Sequence, residues 1–155
     1  MIRMHNIRLC NDHCGRNVKV MSTIENKQLL QTIFAERATG NHVPFRDAMA
    51  DDFTWTVIGT TPWSGTYRGK RAVLTELTGP LLDQFGDDYT ATAERFIAEG
   101  EHVVVESRGR VTTRAGKPYN NTYCFVFRVA DGKLRELTEY CDTQLVATAL
   151  GPPGA

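Results

Sequence analysis

From Tyr89 onward the chain consists of long stretches rich in β-branched and aromatic residues, broken by short connectors that each contain glycine. The stretches cover residues 89–98, 102–113, 119–129 and 134–143, and the connectors are EGEH, RAGKP and ADGK. Glycine and small polar residues at this spacing close hairpins, because they accept the backbone angles a tight reversal demands. Consecutive hairpins force neighbouring strands to pair antiparallel. This half of the chain is therefore expected to be a meander, which excludes alternating βαβ units around a parallel sheet.

The preceding half has helical texture. Ser22 and Glu25 form a capping box, in which hydroxyl and carboxylate each satisfy the other residue's backbone N–H. Leu29, Leu30, Ile33, Phe34 and Arg37 then fall at helical spacing until Gly40 ends the run. A short helix is expected over 43–49, a strand over 53–58 and a loop over GTTPWSGTYRG. A second long helix is expected over 70–85, bent at Pro80, which removes a donor and crowds the preceding turn. A short helix over 144–150 ends before Gly151-Pro152-Pro153-Gly154. Helices and one strand followed by a meander make an α+β domain. Strand alternation also sets the inside. Tyr119, Asn121, Tyr123, Phe125, Phe127 and Val129 share one face, and Phe53, Trp55 and Val57 share another.

Charge and composition narrow the function classes. Eighteen basic side chains balance eighteen acidic ones, which argues against a general electrostatic grip on nucleic acid or an anionic membrane. No apolar run approaches the roughly 18 residues of a transmembrane helix, and charges scattered through residues 1–20 leave no signal-peptide core. A cytoplasmic protein is expected. Residues 1–20 carry four basic and one acidic side chain and lack periodicity. They read as an extension, either a disordered arm or an upstream-start artefact before Met21; the domain spans 21–150 and a tail 151–155. Cys10 and Cys14 lie near His5 and His13, but C-x-x-H-C is not a usual zinc frame and no second ligand pair follows, so no metal is expected. Cys124 and Cys141 sit in strand-like stretches as small hydrophobes. The glycines form no phosphate loop, no Ser-His-Asp or Cys-His arrangement is present, and no cofactor is expected.

Three motifs carry a resemblance: G-x-Y-x-G-K at Gly65–Lys70, F-x-F-x-x-x-D-G-K-L ending at Leu134, and E-Y-x-D-T at Glu139–Thr143. With ADDFTWTVIG they resemble the SnoaL-like branch of the nuclear-transport-factor-two-like superfamily, which includes ketosteroid isomerase, limonene epoxide hydrolase and polyketide cyclases. The resemblance implies a strongly curved, mostly antiparallel sheet wrapped as a cone around N-terminal helices, with an internal apolar pocket. It also implies a homodimer through the outer sheet face, which would cover Val103–Val105 and Val126.

In isomerase-like members a first-strand carboxylate is the base; the corresponding position here is Val57, which cannot accept a proton. The penultimate-strand acid corresponds to Tyr123, either an oxyanion donor or a core aromatic. Glu139 lies where cyclase-like members often carry an acid, and an apolar pocket would raise its pKa toward neutrality. The epoxide-hydrolase branch needs two carboxylates and an arginine, for which Glu106, Arg108, Glu139 and Asp142 are candidates. Asp142 is alternatively the cap of the last helix. Catalytic candidates are thus Glu139, Tyr123 and Glu106. Trp55, Val57, Trp63, Arg108, Asn121 and Asp142 are candidates for ligand contact, with Trp55 as a wall or ordinary core packing and Trp63 as a lid or a seal of the fold. His42 and His102 are expected on the surface. The expected function is a pocket for a small hydrophobic molecule, with isomerase, cyclase or hydrolase chemistry, or else binding or carriage without chemistry, or a structural dimer.

Overall fold

A computed structural model describes residues 9–11, 17–19 and 21–154. The side chains of His5, Cys10, His13 and Cys14 lie outside what it describes. Strands β1 (Leu9–Asn11) and β2 (Asn17–Lys19) pair antiparallel as a separate ladder. The main body starts with α1 (Thr23–Arg37), where Ser22 and Glu25 form the expected capping box. Helix α2 (Val43–Ala48) follows, with Pro44 in its first turn where a missing N–H costs nothing.

Six further strands form one curved, open sheet in the order β4-β3-β8-β7-β6-β5. They are β3 (Met49–Val57), β4 (Gly65–Arg68), β5 (Thr90–Glu99), β6 (His102–Arg110), β7 (Thr122–Ala130) and β8 (Lys133–Cys141). From β5 to β8 the strands pair antiparallel through the three expected hairpins, whereas β3 joins β8 in parallel. The α+β cone is therefore observed. One expectation is corrected: the stretch read as a loop over 59–69 contains β4. Tyr67 stands opposite Trp55 there, so a short edge strand finds a cross-strand aromatic partner that sequence alternation alone did not reveal.

The second long helix also differs from expectation. It runs as α3 (Lys70–Ala72), a π-helical turn (Val73–Thr78) and α4 (Gly79–Leu82), so the irregularity precedes Pro80. Pro80 offers no donor to the turn below. The chain widens instead, with the Gly79 N–H reaching back to the Leu74 carbonyl. A Cβ on Gly79 would stand 2.7 Å from that same oxygen, so the widened turn requires glycine. Helix α5 (Thr143–Ala149) closes the fold.

The core lies between the concave face of the sheet and the helices. Phe34 of α1 meets Phe96, Phe125 and Phe127 at ring separations of about 6 Å (6.1, 5.9 and 6.2 Å). Phe45 of α2 packs edge-on against Trp55 and Phe127. Val103 and Val105 are fully buried in this core, so of the valines expected to need an outer cover only Val104 and Val126 face outward, and both are half-buried. Among the described residues no helix is long and apolar enough to cross a membrane.

Candidate functional site

The aromatic packing leaves a cavity of about 350 Å³ between α1, α2, the π-turn region and the strands. That volume suits a small ring-shaped molecule. Trp55, Phe45, Phe85, Phe125 and Met49 make its walls mostly apolar. The polar side chains that line it include Arg37, Tyr89, Tyr119, Tyr123 and Glu139.

Glu139 reaches the cavity because of a bulge. The β7–β8 register runs Arg128↔Glu136 and then Val129↔Leu134, so Arg135 is an extra residue in β8. The inward parity therefore changes: Leu134 points in, and beyond the bulge so do Leu137 and Glu139. The Glu139 carboxylate accepts a hydrogen bond from Trp55 Nε1 at 3.0 Å and another from the Cys141 thiol. Burial pushes its pKa up to about 7, against the opposing pull of the Trp55 bond and the Arg37 charge. The same burial, with Glu139 beside it, pushes the Cys141 thiol up to about 12, so this cysteine stays protonated and donates.

Opposite stands a chain of hydroxyls. Tyr123 donates to the Tyr119 oxygen at 3.2 Å, and Asn121 Nδ2 donates to the same oxygen at 3.3 Å. With two donors already directed at it, the Tyr119 oxygen has its own O–H left to give to a ligand. Burial drives the pKa values of Tyr89, Tyr119 and Tyr123 upward, so all three remain neutral donors at physiological pH. The stacking is dense: Tyr123 lies 4.9 Å from Phe125, and Phe85 stacks on both Tyr89 and Tyr119. Gly109 permits this closeness, since a Cβ there would sit 2.5 Å from the Tyr89 hydroxyl.

Arg37 ends α1 and is 5% exposed. Its guanidinium lies 4.4 Å from the Phe45 ring centre and 5.1 Å from that of Phe34, a stacking that favours the cation. His42 also faces the cavity. Its Nε2 lies 2.8 Å from the Tyr89 carbonyl oxygen, so that nitrogen carries the proton. Burial and the Arg37 charge hold its pKa below the usual histidine value, and the ring is neutral near pH 7.

The structure thus brings together Glu139, Tyr123 and Trp55 from the sequence candidates. Val57 and Trp63 line a small side recess of about 30 Å³ that also touches Glu139. Trp63 is no lid: its Nε1 is fixed to the Gly151 carbonyl at 2.8 Å. Asn121 stands behind the cavity wall and ties Tyr119 to the Asp142 backbone. Asp142 is the N-cap of α5, accepting from the Gln144 and Leu145 N–H groups. Glu106 and Arg108 are placed outside. They lie on the outer sheet face, where Glu106 pairs with Arg95 at 3.3 Å and Arg108 with Glu94 at 2.6 Å. Both share the parity opposite to Val105 and Ser107, which point into the core.

Sequence reasoning missed Arg37, His42, Tyr89 and Tyr119. Arg37 did leave a signal: it occupies the buried stripe of α1, where a charge is out of place unless something uses it. His42 is half-buried and not on the surface as expected, whereas His102 is exposed.

The sequence profile of the SnoaL-like domain matches residues 30–137, a span ending two residues before Glu139. No curated protein matches the sequence significantly. Among solved structures, a nuclear-transport-factor-two-like protein from Burkholderia thailandensis E264 is 26% identical, with a TM-score of 0.71 over 85% of this chain and 100% of that one. A putative SnoaL-like polyketide cyclase from Jannaschia sp. CCS1 is 20% identical, with a TM-score of 0.68 over 84% and 95%. An epoxide hydrolase of the limonene-epoxide-hydrolase-like type from M. tuberculosis is 21% identical, with a TM-score of 0.60 over 79% and 86%.

Proposed function

The chain belongs to the SnoaL-like domain family, and from that premise we propose that it is a cofactor-independent enzyme moving a proton on a small hydrophobic carbonyl compound, with Glu139 as general base. The observation that carries this is a half-buried carboxylate, the one among the described residues lining the apolar cavity, bonded to Trp55 and with its pKa raised to about 7. Such a group is about half ionised at neutral pH, and its conjugate acid is strong enough to return the proton. In the first step Glu139 takes the hydrogen from a carbon next to the carbonyl. The C–H electron pair becomes the enolate double bond, and the carbonyl oxygen gains the charge. The free O–H of Tyr119, held by Tyr123 and Asn121, donates to that oxygen. Return of the proton at another carbon isomerises the substrate; attack of the carbanion on a second carbonyl closes a ring.

Two similar structures bear enzyme names, one a putative polyketide cyclase and one an epoxide hydrolase. The cyclase-like chemistry is the better supported. A water-activating pair needs two carboxylates, and Glu139 is the one carboxylate among the described residues lining the cavity. Binding or carriage without chemistry is the second reading, favoured by Val57 at the position where isomerase-like members hold their base. The test is hydrogen–deuterium exchange at the acidic carbon of β-tetralone, followed by NMR. Wild-type protein is expected to accelerate exchange and Glu139→Gln to abolish the acceleration. Acceleration that persists in Glu139→Gln would remove Glu139 from the base role, and none in the wild type would favour the carrier.

A further inference from the structure

The cavity holds a buried cation, Arg37, that forms no salt bridge among the described residues. Arg37 is buried, and its Nε–H and Nη1–H groups have no acceptor among the described residues. No carboxylate among the described residues lies within salt-bridge distance of it. Glu139 faces the same void but is already engaged by Trp55 and Cys141. Arg46, which also lines the void, is paired with Asp47 at 3.1 Å. The phenyl rings of Phe34, Phe45 and Phe125 lie 5.1, 4.4 and 5.8 Å from the Arg37 guanidinium carbon. Ring faces soften the charge, yet they supply no oxygen to the N–H groups in the plane of the fork. Tyr89 satisfies part of the fork. The Arg37 side chain lines the void, with Nε and Nη1 themselves closed off from solvent. A buried guanidinium with unused donors is costly unless something fills them in the working state.

We propose that the ligand of this cavity is a flat, apolar molecule bearing a carboxylate, which Arg37 binds. The proposal deepens the function assigned above by naming the substrate class, and it rests on the same cavity. Arg37 comes from the end of α1 and Glu139 from β8, and the two line one void without a salt bridge between them. An anchored carboxylate would fix one end of the molecule and leave its remainder to Glu139 and the tyrosine hydroxyls.

Naphthoate and its neutral analogue naphthamide are the probes, since they differ in charge and little in shape. Titration calorimetry on the wild-type protein is expected to show naphthoate binding about 10- to 100-fold tighter, the range of one or two charge-assisted hydrogen bonds in a dry site. Arg37→Met is expected to erase that preference and Arg37→Lys to keep part of it. Should Arg37→Met fail to fold, the wild-type titrations still decide. There the NMR resonance of the Arg37 Nε–H is expected to shift with naphthoate and stay in place with naphthamide. Equal affinities, a preference that survives Arg37→Met, or no binding of naphthoate at millimolar concentration would each overturn the proposal. The two assignments fail separately. Equal affinities with Glu139-dependent exchange intact would remove the anion site and leave the base. A naphthoate preference without any exchange would do the reverse.

Discussion

Replacing Glu139 by glutamine should make the protein's stability less dependent on pH, and the structure sets the size of the effect. Burial raises the Glu139 carboxyl from its ordinary 4.5 to about 7. Between those values the native state binds a proton that the unfolded chain has released. Stability contributed by this group is therefore greatest in acid and falls as pH rises through the folded value. The full shift corresponds to about 3 kcal/mol, and the part lost between pH 5 and pH 8 is roughly 2.5 kcal/mol. Glutamine keeps an oxygen to accept from Trp55 Nε1 but has no proton to lose. Urea denaturation of both proteins across this range, followed by the fluorescence of the buried Trp55 and Trp63, measures the difference directly. His42 also titrates nearby, with its value lowered by burial and by Arg37, but it is present in both proteins and cancels in the difference. The gap between variant and wild type should widen in the variant's favour from acid to alkali. Parallel stability curves would show that Glu139 ionises as freely in the folded protein as in water, and the base assignment would lose its physical ground.

Trp55→Phe removes the one indole donor to Glu139, so the acidic limb of the pH–rate profile should move upward by about one unit; an unmoved limb would show that the bond does not form in solution. Gly109→Ala places a methyl group against the Tyr89 hydroxyl and Tyr123; a loss of about 1–3 kcal/mol by thermal unfolding is expected, and an unchanged midpoint would contradict the packing of the hydroxyl chain. Asp142→Ala removes the cap of α5 and should cost about 1 kcal/mol while leaving exchange of β-tetralone unchanged, because Asp142 does not face the cavity. A fall in exchange with stability intact would restore Asp142 to the site. Glu106→Gln, on the outer face with Arg95, should alter neither stability beyond about 0.5 kcal/mol nor exchange, as measured by the same two assays.

Much of the architecture was legible because hairpin chemistry is local. The connectors EGEH and ADGK close β5–β6 and β7–β8 where their glycines stand, and the Ser22–Glu25 box begins α1 at its first turn. Features that need a partner distant in sequence were harder to see. Strand β4 exists because Tyr67 pairs with Trp55, and GTYR alone carries too few strand formers to announce it. The π-turn before Pro80 depends on which carbonyl a widened helix can still reach, a matter of geometry that composition does not encode. Tyr119 looked like a core aromatic. It acquires a free hydroxyl only because Asn121 and Tyr123 both donate to it in three dimensions.

The Glu139 side chain shows most sharply how far alternation can carry. Counting inward positions from the buried Leu134 with a period of two selects Glu136, Thr138 and Tyr140, and sends Glu139 to solvent. The structure does the opposite: Tyr140 is 48% exposed and Glu139 faces the cavity. One residue accounts for the reversal. Arg135 stands unpaired between the Arg128–Glu136 and Val129–Leu134 pairs, and its guanidinium is drawn outward to Asp52 and Asp131 at 3.0 and 3.1 Å. Those exposed ion pairs contribute little stability themselves. They do hold the extra residue on the outer side, and every side chain beyond it keeps the parity that follows. A bulge of one residue at the far end of β8 thereby decides whether the domain has a carboxylate in its cavity or an aromatic ring.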